Sequence, residues 1–570
     1  MARWFLTMKK ADFQKNADKF HISPIIARLI RNRDVVEEGE IEQYLNGTIA
    51  DLSDGILMKD ADKAIAILTE KIQENKRIRV IGDYDIDGVN ATYILQEALA
   101  GLGAIVDTDI PDRMKDGYGL NQNLIDRAVE DGIDTVVTCD NGIAAGEEIA
   151  YGKEKGLTII VTDHHEIPYE EIDGEKHYIL PPADAVVDPK QKDCTYPFKE
   201  LCGAAVAYKL MEAFYEALGK EEEDLDYLME HVAIATIGDV MDLIGENRIL
   251  VKQGLEMMRR TSSLGLKALM ECNGINPDQL SAYHIGFVLG PCMNASGRLD
   301  TAKRTLELFR ASSEKEAAML AGDLKALNDS RKDMTLRSVE TAVHMVETTE
   351  LKQDKVLVVY LPECHESIAG IVAGRLRERF YKPTFVLTKA EDGVKGSGRS
   401  IEAYHMYEEL NRCSVYLTKF GGHKLAAGLS MQEANIDAFR SMLNAKTTLT
   451  NEDLEEKISI DMQLPLEYVT ESLIGELDLL APYGKGNRKP LFVEKNLKVL
   501  QPKIIGRNSN VLKMTVQNER GMKLDAIYFG EVQECLNYIL SKQTMAFTFY
   551  PSINEYMGRK SVQITIVNYQ

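Results

Sequence analysis

The sequence is short of several things, and each shortage closes off a class of answer. No window approaches the roughly 18 continuous apolar residues that a bilayer-spanning helix needs. The start, MARWFLTMKK, is basic but has neither an apolar signal core nor a small-residue cleavage site. The expectation is a cytoplasmic protein. The eight cysteines (Cys139, Cys194, Cys202, Cys272, Cys292, Cys364, Cys413 and Cys535) are scattered and form no CxxC pair. That argues against a zinc ribbon and a disulfide framework, and it fits a reducing compartment. There is no low-complexity segment and no short-period repeat. Positive charge is also scarce: 67 Lys and Arg face 89 Asp and Glu, a net charge of −22. A protein that coats nucleic acid non-specifically is disfavoured, because phosphate binding draws on Lys and Arg. A local basic groove is still open. Lys485 to Lys523 holds ten Lys or Arg and two acids, Glu494 and Glu519, although a solvated basic face reads the same way.

What is present is 570 residues, too many for one hydrophobic core, so several domains are expected. From about Arg77 to Pro189, short β-branched runs (RIRVIG, AIVDTDI, DTVVTC, LTIIVT, DAVVD) alternate with helix-like segments. This predicts an α/β fold with a parallel sheet, whose sites form at the C-terminal ends of the strands. Leu201 to about Arg310 reads as mostly helical, and Ser312 to Glu350 as a long charged connector helix without proline. A second, smaller α/β unit follows, from Lys355 to about Lys446. Beyond Glu456, KISIDMQL, LFVEKNLKVL, VLKMTV, KLDAIYF, MAFTFYP and SVQITIVNY read as strands of a small barrel, with an OB-fold and a plain sandwich as the options. The expected divisions are a helical extension over 1–65, a catalytic domain over 66–310, a connector over 311–352, a substrate-binding domain over 353–450 and an OB-like nucleic-acid-binding domain over 451–570.

The chemistry is concentrated at the predicted strand ends. In VIGDYDIDGVNAT, three aspartates stand at alternate positions, Asp83, Asp85 and Asp87. Like charges this close repel, the more so if partly buried, and something must neutralise them. Asp140, Asp163, His164 and His165 follow at later strand ends, and Asp239 ends the apolar run HVAIATIGD. Carboxylates suit hard divalent cations, while imidazole suits manganese, zinc and similar metals. Mixed ligands in excess of one ion's needs point to two ions about 3.5–4 Å apart, a site for in-line phosphodiester hydrolysis. Blander readings compete. DxDxDG also opens a calcium loop, but the twelfth position from Asp83 is Ile94 and not Glu. A lone strand-end Asp such as Asp140 is more often a helix cap, and a lone His pair is more often surface or core.

Taken together, DYDIDG, CDNG, DHH, GDVMDL and GGHKLAAG resemble the DHH phosphoesterase superfamily, and within it the bacterial single-strand-specific exonucleases. PDRMKDGYGLN, LCGAAVAYKL, NASGRLDTA, CHESIAGIVAGRLRERFYKPT and GSGRS extend the likeness from about residue 70 to the C-terminus. The resemblance implies two Mn2+ or Mg2+ ions at Asp85, Asp87, Asp140, His164 and Asp239, with Asp83 and His165 beside them. Asp163 is as well explained by a capping role. Arg113, Arg298, Ser397 and Arg399 match positions that hold DNA phosphates, and His423 matches a substrate-binding residue. Gly421 and Gly422 would allow close approach to a phosphate, or would serve a turn leading into a helix. His365 and Glu366 are candidate groove residues. Tyr118 could stack a base or serve as a turn tyrosine.

The implied activity is 5′-to-3′ hydrolysis of single-stranded DNA to mononucleotides, in recombination and repair. A single-strand-binding protein and a helicase are the implied partners, no membrane is involved, and a monomer is expected. Relatives with a further C-terminal region would make partner contacts through it, and this chain stops soon after the barrel. The alternatives are a phosphodiesterase for short oligonucleotides or cyclic dinucleotides, whose relatives are shorter and lack the barrel, and a non-catalytic single-strand-binding scaffold, which would have lost ligands. A pyrophosphatase has no need of barrel or connector.

Overall fold

The computed structural model describes residues 2–570 except 113–115, 118, 221, 391, 507 and 557. It divides into two units. The larger holds Trp4–Gly297, Ala302–Ala321 and Ser459–Gln570; the smaller is chiefly Gly322–Ile458 with Arg298–Thr301.

The larger unit is built on a five-stranded parallel sheet. Its order is Ile105–Asp109, Arg77–Gly82, Thr135–Cys139, Thr158–Thr162, Ala185–Val187. These are the five β-branched runs; the inner strands are buried on both faces as a parallel sheet requires, while the edge strand Ile105–Asp109 is partly exposed. The first strand in sequence, Arg77–Gly82, lies between the second and the third. Chain direction therefore splits at its C-terminal end, where open α/β sheets form their crevice. The Ile86–Gly101 helix follows at once and packs against the Gly203–Ala217 and Met229–Gly238 helices. Every residue from Met229 to Thr236 is buried, Glu230 and His231 included, so protein surrounds this helix. A hairpin not anticipated from the sequence, Tyr169–Ile172 with Glu175–Tyr178, stands between the fourth and fifth strands of the sheet.

The C-terminal strands form a six-stranded sheet, five strands of which close into a barrel where Phe492–Ile505 pairs with Met545–Tyr556. The KISIDMQL segment is not one barrel strand. Ser459 and Ile460 bond instead to Thr7, and Met462–Gln463 alone joins the sheet. The break falls at Asp461, which is drawn aside by Leu491 and Asn32. The barrel core is shared with the chain's N-terminal helices: Ile26, Leu29, Ile30 and Ile41 pack with Phe492, Leu512, Phe547 and Phe549. Arg248, on the Gly245–Met258 helix, ties three segments together. Its guanidinium donates to the carbonyls of Tyr44 (2.9 Å), Leu480 (3.0 Å) and Leu479 (3.0 Å), and it lies 4.0 Å over the Tyr44 ring.

The smaller unit has a five-stranded sheet ordered Leu417–Gly422, Ala426–Met431, Gly393–Arg399, Thr384–Ala390, Leu357–Tyr360, in which only the last pair is parallel. The Glu366–Phe380 helix packs on it, burying Ile368, Val372 and Leu376. The 35-residue helix Glu314–Thr348 runs through the expected connector.

Candidate metal centre

The acidic residues reach one place by different routes. Asp83 follows the Arg77–Gly82 strand and is buried, with Oδ1 accepting from the Gly119 N–H at 3.3 Å. Asp85 caps the next helix, its Oδ1 accepting from the Asp87 and Gly88 amides at 2.9 and 3.1 Å. Gly88 permits this tight strand-to-helix turn, since a Cβ there would lie 2.5 Å from the Asp83 backbone. Asp87, in the first helical turn, is fully buried. It receives the first two amides of the Gly203–Ala217 helix: Gly203 N–H to Oδ2 at 2.7 Å and Ala204 N–H to Oδ1 at 2.8 Å. A helix N-terminus favours a carboxylate in that position.

Asp140 lies just past the Thr135–Cys139 strand, in left-handed backbone with φ 59. Its neighbour Asn141 ties the turn to the Ile81 and Cys139 carbonyls at 3.1 and 2.9 Å. His164, past the Thr158–Thr162 strand, brings Nε2 to 3.1 Å from Asp140 Oδ1, 3.5 Å from Asp87 Oδ2 and 3.8 Å from Asp239 Oδ2. Asp239 caps the C-terminus of the Met229–Gly238 helix. Val240 follows it with φ 59, an uncommon conformation for a β-branched residue and one that costs about 1–3 kcal/mol. Two overlapping groups place their donor atoms within 4.8 Å of one another: Asp87, His164 and Asp239; and Asp140, His164 and His165. Asp85 is in neither group. Asp163 Oδ1 accepts from the His164 amide (2.8 Å) and meets His165 Nδ1 (2.7 Å), while Oδ2 accepts from the Ile143 amide (2.9 Å). Its hydrogen bonds fix the His165 ring and the backbone that carries His164.

The electrostatics show what this arrangement lacks. Burial, then repulsion from Asp87 and Asp85, raises Asp140 well above the ordinary carboxylate range. Burial also raises Asp87, and it pushes Asp239 up to about 8 with help from Asp87 and Asp85. His164 is lowered by burial, which favours the neutral, ligating ring. His165 goes the other way: burial opposes its charge, but the bond to Asp163 raises it to about 9. Buried carboxylates that cannot bear their own charge, converging on a neutral imidazole, fit a divalent cation.

The predicted substrate residues of the smaller unit are placed as follows. Ser397 and Arg399 lie on the Gly393–Arg399 strand. Arg399 runs against two helix glycines: a Cβ on Gly370 would lie 2.9 Å from its guanidinium, and one on Gly374 would lie 3.9 Å from its Cγ. Arg298 Nη1 donates to the Ser367 carbonyl at 2.8 Å. His365 caps the same helix, and Glu366 pairs with Lys395 at 3.0 Å. Arg298, Arg399 and His365 thus gather on the N-terminal half of the Glu366–Phe380 helix. Gly421 and Gly422 end a strand and do not lead into a helix. His423 sits in the hairpin turn that follows, its amide bonded to the Ala426 carbonyl at 2.8 Å, because Gly422 (φ 140) turns the chain back into a strand. Arg113 and Tyr118 lie outside the described residues.

Sequence reasoning missed the amides of Gly203 and Ala204 that hold Asp87, and the tie made by Asn141. It also missed Asp188, a buried carboxylate past the fifth strand, pushed up to about 8 by burial and by Asp163. The signal for Asp188 was its place at the end of the DAVVD run; nothing local marked the amides.

A parallel sheet with this cluster at its carboxyl edge defines a DHH-type metal-dependent hydrolase, and the DHH family N-terminal domain matches residues 77–236. The DHHA1 domain matches residues 353–448 and the RecJ OB domain residues 460–568. The single-stranded-DNA-specific exonuclease RecJ of Bacillus subtilis is 37% identical over 99% of this chain and 70% of its own length. That of Escherichia coli is 33% identical over 99% of each. The crystal structure of RecJ from Thermus thermophilus in complex with Mn2+ covers all of this chain and 79% of its own, with a TM-score of 0.84 at 28% identity; one with Mg2+ superposes at 0.79. The chain belongs to the RecJ family.

Proposed function

We propose that the chain is a single-stranded-DNA-specific exonuclease, degrading from 5′ to 3′ and releasing mononucleotides, with two divalent ions, Mn2+ or Mg2+, held by Asp85, Asp87, Asp140, His164 and Asp239. The observation that carries this is the approach of three carboxylates from separate elements to His164 Nε2, within 3.8 Å. Bound divalent ions at such a site supply an activated water and stabilise charge on the phosphoryl oxygens.

The chain's own residues do the rest. The helix amides at Gly203 and Ala204 aim the Asp87 carboxyl and offset part of the rise that burial imposes on it. Asp163 orients the His165 ring and holds the backbone amide of His164. His165, charged below about pH 9 and about half exposed, presents a proton donor to a substrate phosphate. Arg298, Ser397, Arg399, Gly421, Gly422 and His423, with Arg113, bind the strand's phosphates, Arg through its two-pronged fork. Tyr118 stacks a base, and Asp83 braces the loop that follows it. The barrel guides the strand. A single-strand-binding protein and a helicase are the partners this activity calls for, and we expect a cytoplasmic monomer.

The test is purified protein with Mn2+ and a single-stranded oligonucleotide labelled at one end at a time, beside duplex and dinucleotide controls. Mononucleotides released progressively from the 5′ end of the single strand alone are expected. Cleavage of the dinucleotide alone would move the chain to the short-oligonucleotide phosphodiesterases. Arg298→Ala is expected to weaken strand binding and to flatten its dependence on log salt by about one unit of slope.

A further inference from the structure

Two buried polar side chains beside the metal centre have no part in the chemistry above. Asn90 lies inside the Ile86–Gly101 helix and His231 in the first turn of the Met229–Gly238 helix; they are 0% and 2% exposed. A buried amide or imidazole is costly unless it is hydrogen-bonded. Asn is also a poor helix former, because its amide competes for the backbone. Here the two satisfy each other. Asn90 Nδ2 donates to the Ile86 carbonyl at 2.6 Å, and Asn90 Oδ1 meets His231 Nδ1 at 2.7 Å.

The donors and acceptors allow one assignment. The Ile86 carbonyl can only accept, so the amide nitrogen of Asn90 faces it and the amide oxygen faces His231. The imidazole must then donate from Nδ1. The ring lies against those of Tyr93 (centroids 4.4 Å apart) and Phe309 (4.5 Å). Burial pushes its pKa down to about 3, so it is neutral and keeps that one tautomer.

The far end of this chain of bonds is the metal centre. The Ile86 carbonyl belongs to the peptide whose N–H, on Asp87, donates to Asp85 Oδ1 at 2.9 Å. That peptide is held from both sides, by Asn90 on its oxygen and by Asp85 on its nitrogen. His231 stands on the helix that Asp239 caps, and the end of that helix closes on the same residue: a Cβ on Gly238 would lie 2.5 Å from Ile86.

We propose that Asn90 and His231 are positioning residues, a buried relay that fixes the Ile86–Asp87 peptide, and with it the Asp85 carboxylate, at a set place relative to Asp239. The inference rests on the reading of this cluster as a metal centre. Such a relay orients the ligands before an ion arrives.

The test is Mn2+ binding by the full-length protein, measured by isothermal titration, beside the melting midpoint in EDTA. His231→Phe keeps a ring against Tyr93 and Phe309 but has no donor, and it should bind Mn2+ roughly 10- to 100-fold more weakly. His231→Asn loses the ring but presents an N–H where Nδ1 stands. It should bind Mn2+ like the parent while melting lower. Asn90→Leu, similar in shape, should match His231→Phe, and the double variant should lose no more than either alone, because each breaks the same relay. Affinities that follow the melting midpoints, or losses that multiply in the double variant, would overturn the relay and leave the pair a packing role. So would parent-like affinity in Asn90→Leu. A parent protein that takes up no Mn2+ would overturn the metal centre itself, a failure seen without any variant.

Discussion

The backbone N–H of Gly203 donates to Oδ2 of Asp87 at 2.7 Å, while the space where a Gly203 side chain would stand is filled by Asp140, whose Cβ lies 2.7 Å from that position. One glycine therefore sets the distance between two carboxylates of the metal centre. Gly203→Ala is expected to push Asp140 away and to lower Mn2+ affinity about 10- to 100-fold. Isothermal titration would measure this; unchanged affinity would show that Asp140 moves without consequence.

Asp140 also opposes folding in the metal-free protein, since burial and its acidic neighbours disfavour its charge. Asp140→Asn is expected to abolish hydrolysis and yet to raise the metal-free melting midpoint by about 2 °C or more. Scanning calorimetry in EDTA, with a nuclease assay beside it, checks both halves. A lowered midpoint would count against mutual repulsion.

Asp239 gives the centre a pH dependence. Its carboxyl is pushed up to about 8 by burial, then by Asp87 and Asp85, against about 4 in the unfolded chain. Between those values the folded state keeps a proton that the unfolded chain has released. The stability linked to the protonated form is therefore full below about pH 4 and lost as pH rises through about 8. A divalent ion competes for the same carboxylate, so Mn2+ affinity should climb from about pH 6 and level off above about pH 8. A flat profile would contradict the raised value.

Arg248 supplies three hydrogen bonds to carbonyls of two distant segments, those to Tyr44 and Leu480 buried. Arg248→Ala should cost at least about 2–3 kcal/mol, because the Tyr44 and Leu480 carbonyls lose their donor where water is excluded. Arg248→Lys should recover little, since a single ammonium cannot span three acceptors. Thermal unfolding monitored by intrinsic fluorescence would show the loss.

The parallel sheet and its acidic edge were legible because each strand is a run of β-branched residues and each motif abuts one. The Asp163 role was half legible: a capping carboxylate was expected, but not that it would hold the His165 ring. The Tyr169–Tyr178 hairpin was readable and missed. Its turn, Asp173-Gly174, has both residues at positive φ, 53 and 81, the conformation that Asp-Gly signals. Other features had no local signal. The Asp87 cradle joins residues 116 apart, and periodicity reports only which face of a helix is apolar, not what will cover it. The same limit hid the pairing of the N-terminal helices with the barrel.

That last pairing has a consequence for how the chain is made. Tyr44 reaches its partner carbonyl at Leu480 across 436 residues of sequence. At synthesis rates of about 5–20 residues per second, roughly 20–90 s separate the two on a ribosome. For that interval Ile26, Leu29, Ile30 and Ile41 have emerged and their barrel has not. The first helices of the newborn chain are thus sticky surfaces awaiting its last strands. We expect truncated nascent chains to be held by chaperones and the full-length product to be released once its final strand pairs.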